Sequence, residues 1–204
     1  MKYAVALALP LLVAAQTVDK NAVKISSVSY SGNGCPQGSA STSISDDRTI
    51  VTLGFDGFQT YIGPGYDPTQ KTKNCQLHLS LSYPSGFNFA VIDSVYHGFA
   101  ELDAGVTGTF YSTYYFSENA AATTTTQTSI NGGGIWADGQ VYTKENLVPS
   151  EKYVRSRCGG GSSILNINNR IALTSTDSDA SGVLTNDDAT VAFTHQVHLK
   201  WFKC

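Results

Sequence analysis

Strict alternation of apolar and polar residues, broken by Gly-rich turns, is the feature that most narrows the fold of this chain. Leu77, Leu79, Leu81 and Tyr83 alternate with Gln76, His78, Ser80 and Ser82. Val106, Gly108, Phe110, Ser112, Tyr114 and Phe116 alternate with Thr107, Thr109, Tyr111, Thr113 and Tyr115. Val191, Phe193, His195, Val197, Leu199 and Trp201 alternate with Ala192, Thr194, Gln196, His198 and Lys200. A period of two sends successive side chains to opposite faces, so each run reads as a strand with one buried and one wetter face.

Shorter runs add strands at Val23 to Tyr30 (with a bulge or register change), Ile50 to Phe55, Phe58 to Ile62 and Phe87 to Val91. Others fall at Thr124 to Ile130, Gly139 to Thr143 and Ile164 to Leu173. The Pro84-Ser85-Gly86 turn predicts a hairpin between the runs before and after it. Asn131-Gly132-Gly133-Gly134 and Gly159-Gly160-Gly161 punctuate the rest, and Ala120 to Gly134 reads as a hairpin rather than a domain boundary. Lys144 to Tyr153 is the one weak helical candidate, interrupted by Pro149. Many short strands without alternating helices predict an all-β fold, a single-domain antiparallel β-sandwich of jelly-roll type. About nine to eleven strands suit a sandwich of this size.

Charged residues are only 14% of the chain, against roughly 25% in ordinary soluble domains. The formal charge is −3. This balance excludes a coiled coil, a charge-driven disordered chain and a broad basic surface for nucleic acid.

The first residues predict a secretory signal over 1–15. Lys2 supplies the positive charge, Tyr3 to Val13 the short apolar stretch, and Val13-Ala14-Ala15 the small residues before cleavage. The secreted domain then runs over 16–204, extracellular or associated with the cell wall, with no membrane anchor. No Asn-x-Ser/Thr sequon occurs, while Thr123 to Thr126, Thr128 and Ser129 are candidates for O-linked sugar. The four cysteines, Cys35, Cys75, Cys158 and Cys204, predict two disulfides in an oxidising compartment, with three connectivities open. Pairing sequence neighbours would close two loops of similar length and stabilise by roughly 4 kcal/mol each.

Candidate chemistry is sparse. His195 and His198 leave opposite faces of one strand, and His78 and His97 lie on other segments, so no metal site is expected. Gln16 stands where a copper-dependent polysaccharide monooxygenase would expose its N-terminal histidine. Asp46-Asp47 and the stretch from Asp177 and Asp179 to Asn186, Asp187 and Asp188 carry oxygen donors without an EF-hand spacing, and read as solvated turns. No cofactor is expected. For glycoside hydrolysis, Glu101 is the best candidate for a buried acid, with one Asp as its partner, yet a salt-bridged or exposed strand-end acid is the plainer reading and nothing in the spacing fixes a catalytic pair.

The aromatic pattern says more. Tyr111 and Tyr115 share the polar face of one strand, about 13–14 Å apart at about 3.4 Å per residue, with Thr107, Thr109 and Thr113 beside them. Sugars stack their C–H faces on such rings and bond hydroxyls to neighbouring Thr, Asn and Gln. Tyr111, Tyr115 and Thr113 are therefore the candidate carbohydrate platform.

Several segments resemble a known family. They are Tyr30-Ser31-Gly32-Asn33-Gly34-Cys35-Pro36, Ser45-Asp46-Asp47, Lys73-Asn74-Cys75-Gln76, Tyr83-Pro84-Ser85-Gly86, Tyr96-His97-Gly98-Phe99-Ala100 and the terminal Trp201-x-x-Cys204. At these separations they are similar to the secreted, mostly fungal, domain-of-unknown-function family 4360, over roughly Val23 to Cys204. The resemblance maps the family's four cysteines onto Cys35, Cys75, Cys158 and Cys204, and implies two disulfides. It implies no catalytic residue. The leading expectation is a secreted, non-catalytic fungal surface protein that binds or masks wall polysaccharide, or acts on a host surface component as a virulence-related protein. The competing classes are an extracellular carbohydrate-active enzyme and a protein-interaction module.

Overall fold

A computed structural model describes residues 17–185 and 193–204. The expected signal segment and the acidic run Asn186 to Asp188 lie outside the described residues. In chain order the strands are β1 (Lys24–Ser31), β2 (Ala40–Ile44), β3 (Ile50–Phe55), β4 (Thr60–Ile62), β5 (Thr72–Tyr83) and β6 (Phe87–Leu102). There follow β7 (Val106–Phe116), β8 (Thr123–Asn131), β9 (Gln140–Leu147), β10 (Gly161–Ser175), β11 (Gly182–Thr185) and β12 (Phe193–Lys203). They build two antiparallel sheets. One has the order β1-β5-β10-β7-β8, and the other β2-β3-β12-β6-β11-β4 with β9 also paired to β6. One continuous apolar core joins their facing sides and includes Leu77, Leu79, Leu81, Phe89, Phe110, Phe116, Leu165 and Ile167. Rings interlock across the gap: Phe89 meets Phe116 at 5.2 Å and Tyr96 meets Phe110 at 5.3 Å between centroids.

The all-β sandwich therefore stands, as does the bulge in the first strand, whose register shifts between Ile25 and Ser27. Four details differ from the sequence reading. The expected hairpin across Pro84-Ser85-Gly86 is instead a passage between sheets, because β5 pairs with β1 and β10 while β6 pairs with β12, β11 and β9. Alternation marks a strand's two faces but not its neighbours. The helical candidate Lys144 to Tyr153 is the end of β9 followed by a 3₁₀ turn at Ser150–Lys152, since the ladder from Asp93 to Ala100 captures β9. Two short strands, β2 and β11, were not expected. On β8, Thr124 and Thr126 face inward and are closed to O-linked sugar, whereas Thr123 and Thr125 are exposed.

Cys35 bonds Cys75 and Cys158 bonds Cys204, spanning 40 and 46 residues. These are the neighbour pairings. Each ties a loop to the start or end of a long strand, where fraying would begin. At the second bridge the Cys204 N–H donates to the Gly86 carbonyl at 2.8 Å, and the Trp201 ring packs on Tyr83 and Phe89.

The core also contains a directed chain of hydrogen bonds between the sheets. The Tyr96 hydroxyl donates to Ser112 Oγ at 2.6 Å, and Ser112 donates to Asn169 Oδ1 at 2.5 Å. Asn169 Nδ2, which can only donate, meets His195 Nδ1 at 3.0 Å. The proton of His195 therefore sits on Nε2, which donates to the Tyr114 hydroxyl at 3.3 Å. The Tyr96 ring covers the imidazole at 4.6 Å and 8°. Every member finds a partner, which is the condition under which buried polar groups are tolerated.

His195 is 0% exposed, and burial lowers its pKa to about 3. Between that value and 6.5 the unfolded chain binds a proton that the folded chain refuses. The stability is present in full above 6.5, and falls by about 1.4 kcal/mol for each pH unit below it. Asp93, whose pKa burial raises, works in the opposite sense at lower pH, so the His195→Gln variant serves as the reference. Urea unfolding of the oxidised protein should lose about 2 kcal/mol between pH 6.5 and 5. The same titration on the His195→Gln variant, less stable at neutral pH, should have a visibly flatter pH profile. Equal slopes for the two proteins would refute a buried neutral imidazole.

Candidate functional site

The outward face of the five-stranded sheet follows from register alone. Antiparallel pairing places Asn74, Arg170, Tyr111 and Gln127 side by side across β5, β10, β7 and β8. The next row is Ser31, Gln76, Asn168, Thr113 and Thr125, and the one beyond is Ser29, His78, Asn166, Tyr115 and Thr123. Tyr111, Thr113 and Tyr115 thus share the solvent face of β7 as expected, while Phe110, Tyr114 and Phe116 fill the core.

A shallow depression of about 390 Å³ lies on this face, lined by Thr72, Asn74, Tyr111, Thr113, Asn168 and Arg170, with Thr125 at its side. Its walls are amides, hydroxyls, one phenol ring and one guanidinium, and contain no carboxylate. Arg170 is exposed and its guanidinium carbon sits 4.2 Å above the centroid of the Tyr111 ring. One face of Tyr111 is therefore already covered by a cation, which the sequence reading did not anticipate. Thr113 and Thr125 hydroxyls bond each other at 2.8 Å, and Asn166 is held by His78 Nδ1 at 2.5 Å and by the Ser117 hydroxyl, to which its amide donates. Tyr115 stands one row beyond Thr113, outside the depression, so the platform has a near and a far ring.

The Gly32-Asn33-Gly34-Cys35 segment sets one edge of the depression. Asn33 Nδ2 donates to the Thr72 carbonyl at 3.3 Å, and Asn33 Oδ1 accepts from the Asn74 N–H at 2.8 Å. The Gly34 N–H donates to the Asn74 carbonyl at 2.9 Å, and the Cys35–Cys75 bridge lies next to it. At Gly32 a Cβ would stand 2.2 Å from that same carbonyl, so only glycine lets the loop come so close.

The other sequence candidates are kept apart. His78 bonds Asn166, His97 Nδ1 lies 2.9 Å from Thr143 Oγ1, and His195 is in the core. His198 Nδ1 lies 2.7 Å from Asp93 Oδ1 on the opposite sheet, at ion-pair distance but without hydrogen-bond alignment. Among the described residues no group of three or more His, Cys, Asp or Glu could hold a metal ion. Asp47 accepts from the Ser45 hydroxyl and the Thr49 N–H, which hold its carboxyl below the usual range, and Asp177 accepts from the Asp179 N–H. Both are turn contacts. Glu101 is exposed at the end of β6, opposite Val183, in keeping with its reading as a strand-end acid rather than a buried catalytic one. Strand parity turns it outward, because Ala100 and Leu102 occupy the core.

Sequence reasoning singled out Tyr111, Thr113 and Tyr115 but missed Asn74, Asn168 and Arg170. Their alternation with Cys75, Ile167, Asn169 and Ile171 was visible; their adjacency to β7 was not.

A family model for a domain of unknown function (DUF4360) matches residues 21–204. A relative from Arthroderma benhamiae, called an uncharacterized secreted protein, is 43% identical over 187 residues, covering 91% of this chain and 74% of the relative. Solved structures similar to the chain include TmCBM61 in complex with β-1,4-galactotriose, at 10% identity and a TM-score of 0.22, over 93% of this chain and 100% of that one. Another is a family 11 carbohydrate-binding module from Clostridium thermocellum with a β-1,3-1,4-mixed-linked tetrasaccharide, at 10% identity and 0.26, over 86% and 90%. At such TM-scores these two likenesses carry no argument.

Gly32→Ala should lower unfolding stability by about 1–3 kcal/mol, since the new methyl collides with backbone rather than a yielding side chain. Urea unfolding with both disulfides intact measures this, and an unchanged midpoint would contradict the close approach of Gly32 to Asn74.

Proposed function

We propose that this chain, a secreted protein that belongs to the domain-of-unknown-function family DUF4360, binds extracellular polysaccharide on the outer face of its five-stranded sheet and carries out no reaction there. The observation that supports this most is the composition of that face: tyrosine rings set among amide and hydroxyl side chains, around a depression without a carboxylate. Glycoside hydrolysis needs two carboxyl groups flanking the bond, and this depression offers none. Amides and hydroxyls can satisfy sugar hydroxyls while the rings take the apolar C–H faces.

In this reading Met1 to Ala15 direct export and are removed, and the sandwich over 16–204 works as one unit against the wall of the producing cell. No helix among the described residues is long and apolar enough to cross a membrane. Retention at the wall then depends on the sheet face.

Purified, oxidised protein mixed with insoluble chitin, β-glucan, cellulose and whole fungal walls should be depleted from solution saturably by at least one of them. The double variant Tyr111→Ser, Tyr115→Ser should weaken that retention roughly thirtyfold, for two aromatic contacts at ~1 kcal/mol each. Retention on no polymer, or retention indifferent to both tyrosines, would overturn the assignment and bring a protein partner to the front.

A further inference from the structure

We propose that the glycan received on this face is anionic, and that Arg170 takes its oxyanion, a uronic-acid carboxylate or a sugar phosphate. The inference rests on the polysaccharide-binding reading above and narrows it to a ligand class.

The distribution of acids is the first ground. The chain has 16 Asp and Glu and a formal charge of −3. None of these acids falls on β1, β5, β7, β8 or β10, the five strands of the binding sheet. The opposite sheet, by contrast, carries Asp93 and Glu101 on β6 and Glu145 on β9. An isolated cation on a sheet surface is ordinarily met by acids on neighbouring strands, which contribute cross-strand attraction. Around Arg170 the direct neighbours are Asn74 and Tyr111, and the diagonal ones are Thr72, Gln76, Thr109 and Thr113. Among the described residues no carboxylate lies within ion-pair distance of Arg170.

Position is the second ground. β10 is the middle strand of the five, so Arg170 stands near the centre of the sheet rather than at its rim. Its guanidinium rests on the Tyr111 ring at 4.2 Å and lines the depression together with Asn74 and Asn168. A guanidinium engaged through its face keeps its edge N–H donors for a planar oxyanion. The ring also holds the long side chain in place, which reduces the entropy lost on binding. Net negative charge does not oppose this, because attraction is local: the Debye length is about 8 Å at physiological salt.

The test uses soluble probes and the full oxidised chain. Affinity is measured for an oligogalacturonate, for the same oligomer with its carboxyls methyl-esterified, for a phosphorylated mannan oligosaccharide and for a neutral β-glucan oligomer. The oxyanion-bearing probes should bind about tenfold or more tighter than the ester, as expected of hydrogen bonds to a charged group. Raising salt to about 1 M, where the Debye length is about 3 Å, should erase most of the difference. Arg170→Gln should remove the preference, while Arg170→Lys should keep part of it, through charge without the fork. A stronger response to the acid identifies a uronide, and one to the mannan identifies a phosphate; either supports the inference. Equal binding of acid and ester together with no gain for the phosphorylated mannan over the neutral oligomer, or a preference that survives Arg170→Gln, would overturn it. If the neutral oligomer binds as well as the anionic probes, the anionic inference falls and polysaccharide binding stands; if no probe and no insoluble polymer binds, both fall.

Discussion

The register of β10 is the constraint on which the rest of this structure depends. It is held from the core side by the hydrogen-bonded chain through Tyr96, Ser112, Asn169, His195 and Tyr114. An apolar face alone tolerates sliding, because one buried aliphatic side chain can replace another. An asparagine that must give its oxygen to Ser112 and its nitrogen to His195 accepts one alignment. A slip of β10 by one residue would bury the Arg170 guanidinium and turn Asn169 and Ile171 to solvent. The same bonds that join the two sheets therefore decide which residues decorate the outer surface. Stability and the proposed binding thus draw on opposite faces of one strand.

The segments that carry the family likeness do a different job. Gly32-Asn33-Gly34-Cys35 closes on Asn74-Cys75, and Pro84-Ser85-Gly86 closes on the terminal Trp201-x-x-Cys204. At the latter, a Cβ at Gly160 would stand 2.4 Å from the Ser85 nitrogen, so the chain next to Cys158 packs backbone to backbone. Both clusters fasten strand ends that a loosely charged, Gly- and Thr-rich chain would otherwise let fray. The first also shapes the site, since Asn33 grips the backbone of Thr72 and Asn74 at the rim of the depression. The recognisable motifs thus build the frame around the candidate site and lend it Asn74, while Tyr111, Thr113, Asn168 and Arg170 come from β7 and β10, which carry no motif.

This division explains what could be read from the residues alone. Alternation located the long strands, put His195 among core residues and turned Tyr111, Thr113 and Tyr115 to one face. It could not name strand neighbours, so β5 and β6 looked like a hairpin when the turn between them in fact crosses from sheet to sheet. Ala40–Ile44 was overlooked because it is short and largely polar, and Lys144 to Tyr153 lacks the β-branched run that marks a strand. Arg170 passed unremarked because a lone arginine on a strand looks like any solvated side chain. Only after the five strands of one sheet are known does the absence of acids among them become a signal.

The central claim is that the outer face of the five-stranded sheet is where polysaccharide sits. Amide chemical-shift mapping by NMR, with a soluble oligosaccharide cut from whichever polymer retains the protein, tests it most directly. The account predicts that the largest shifts cluster at Asn74, Tyr111, Thr113, Asn168 and Arg170, with core neighbours such as Ile167 and His195 little changed. A second hollow of about 580 Å³ opens at the sandwich edge beside Tyr66, Lys71 and Asp177. Shifts concentrated there, or on the outer face of the seven-stranded sheet, would contradict the account.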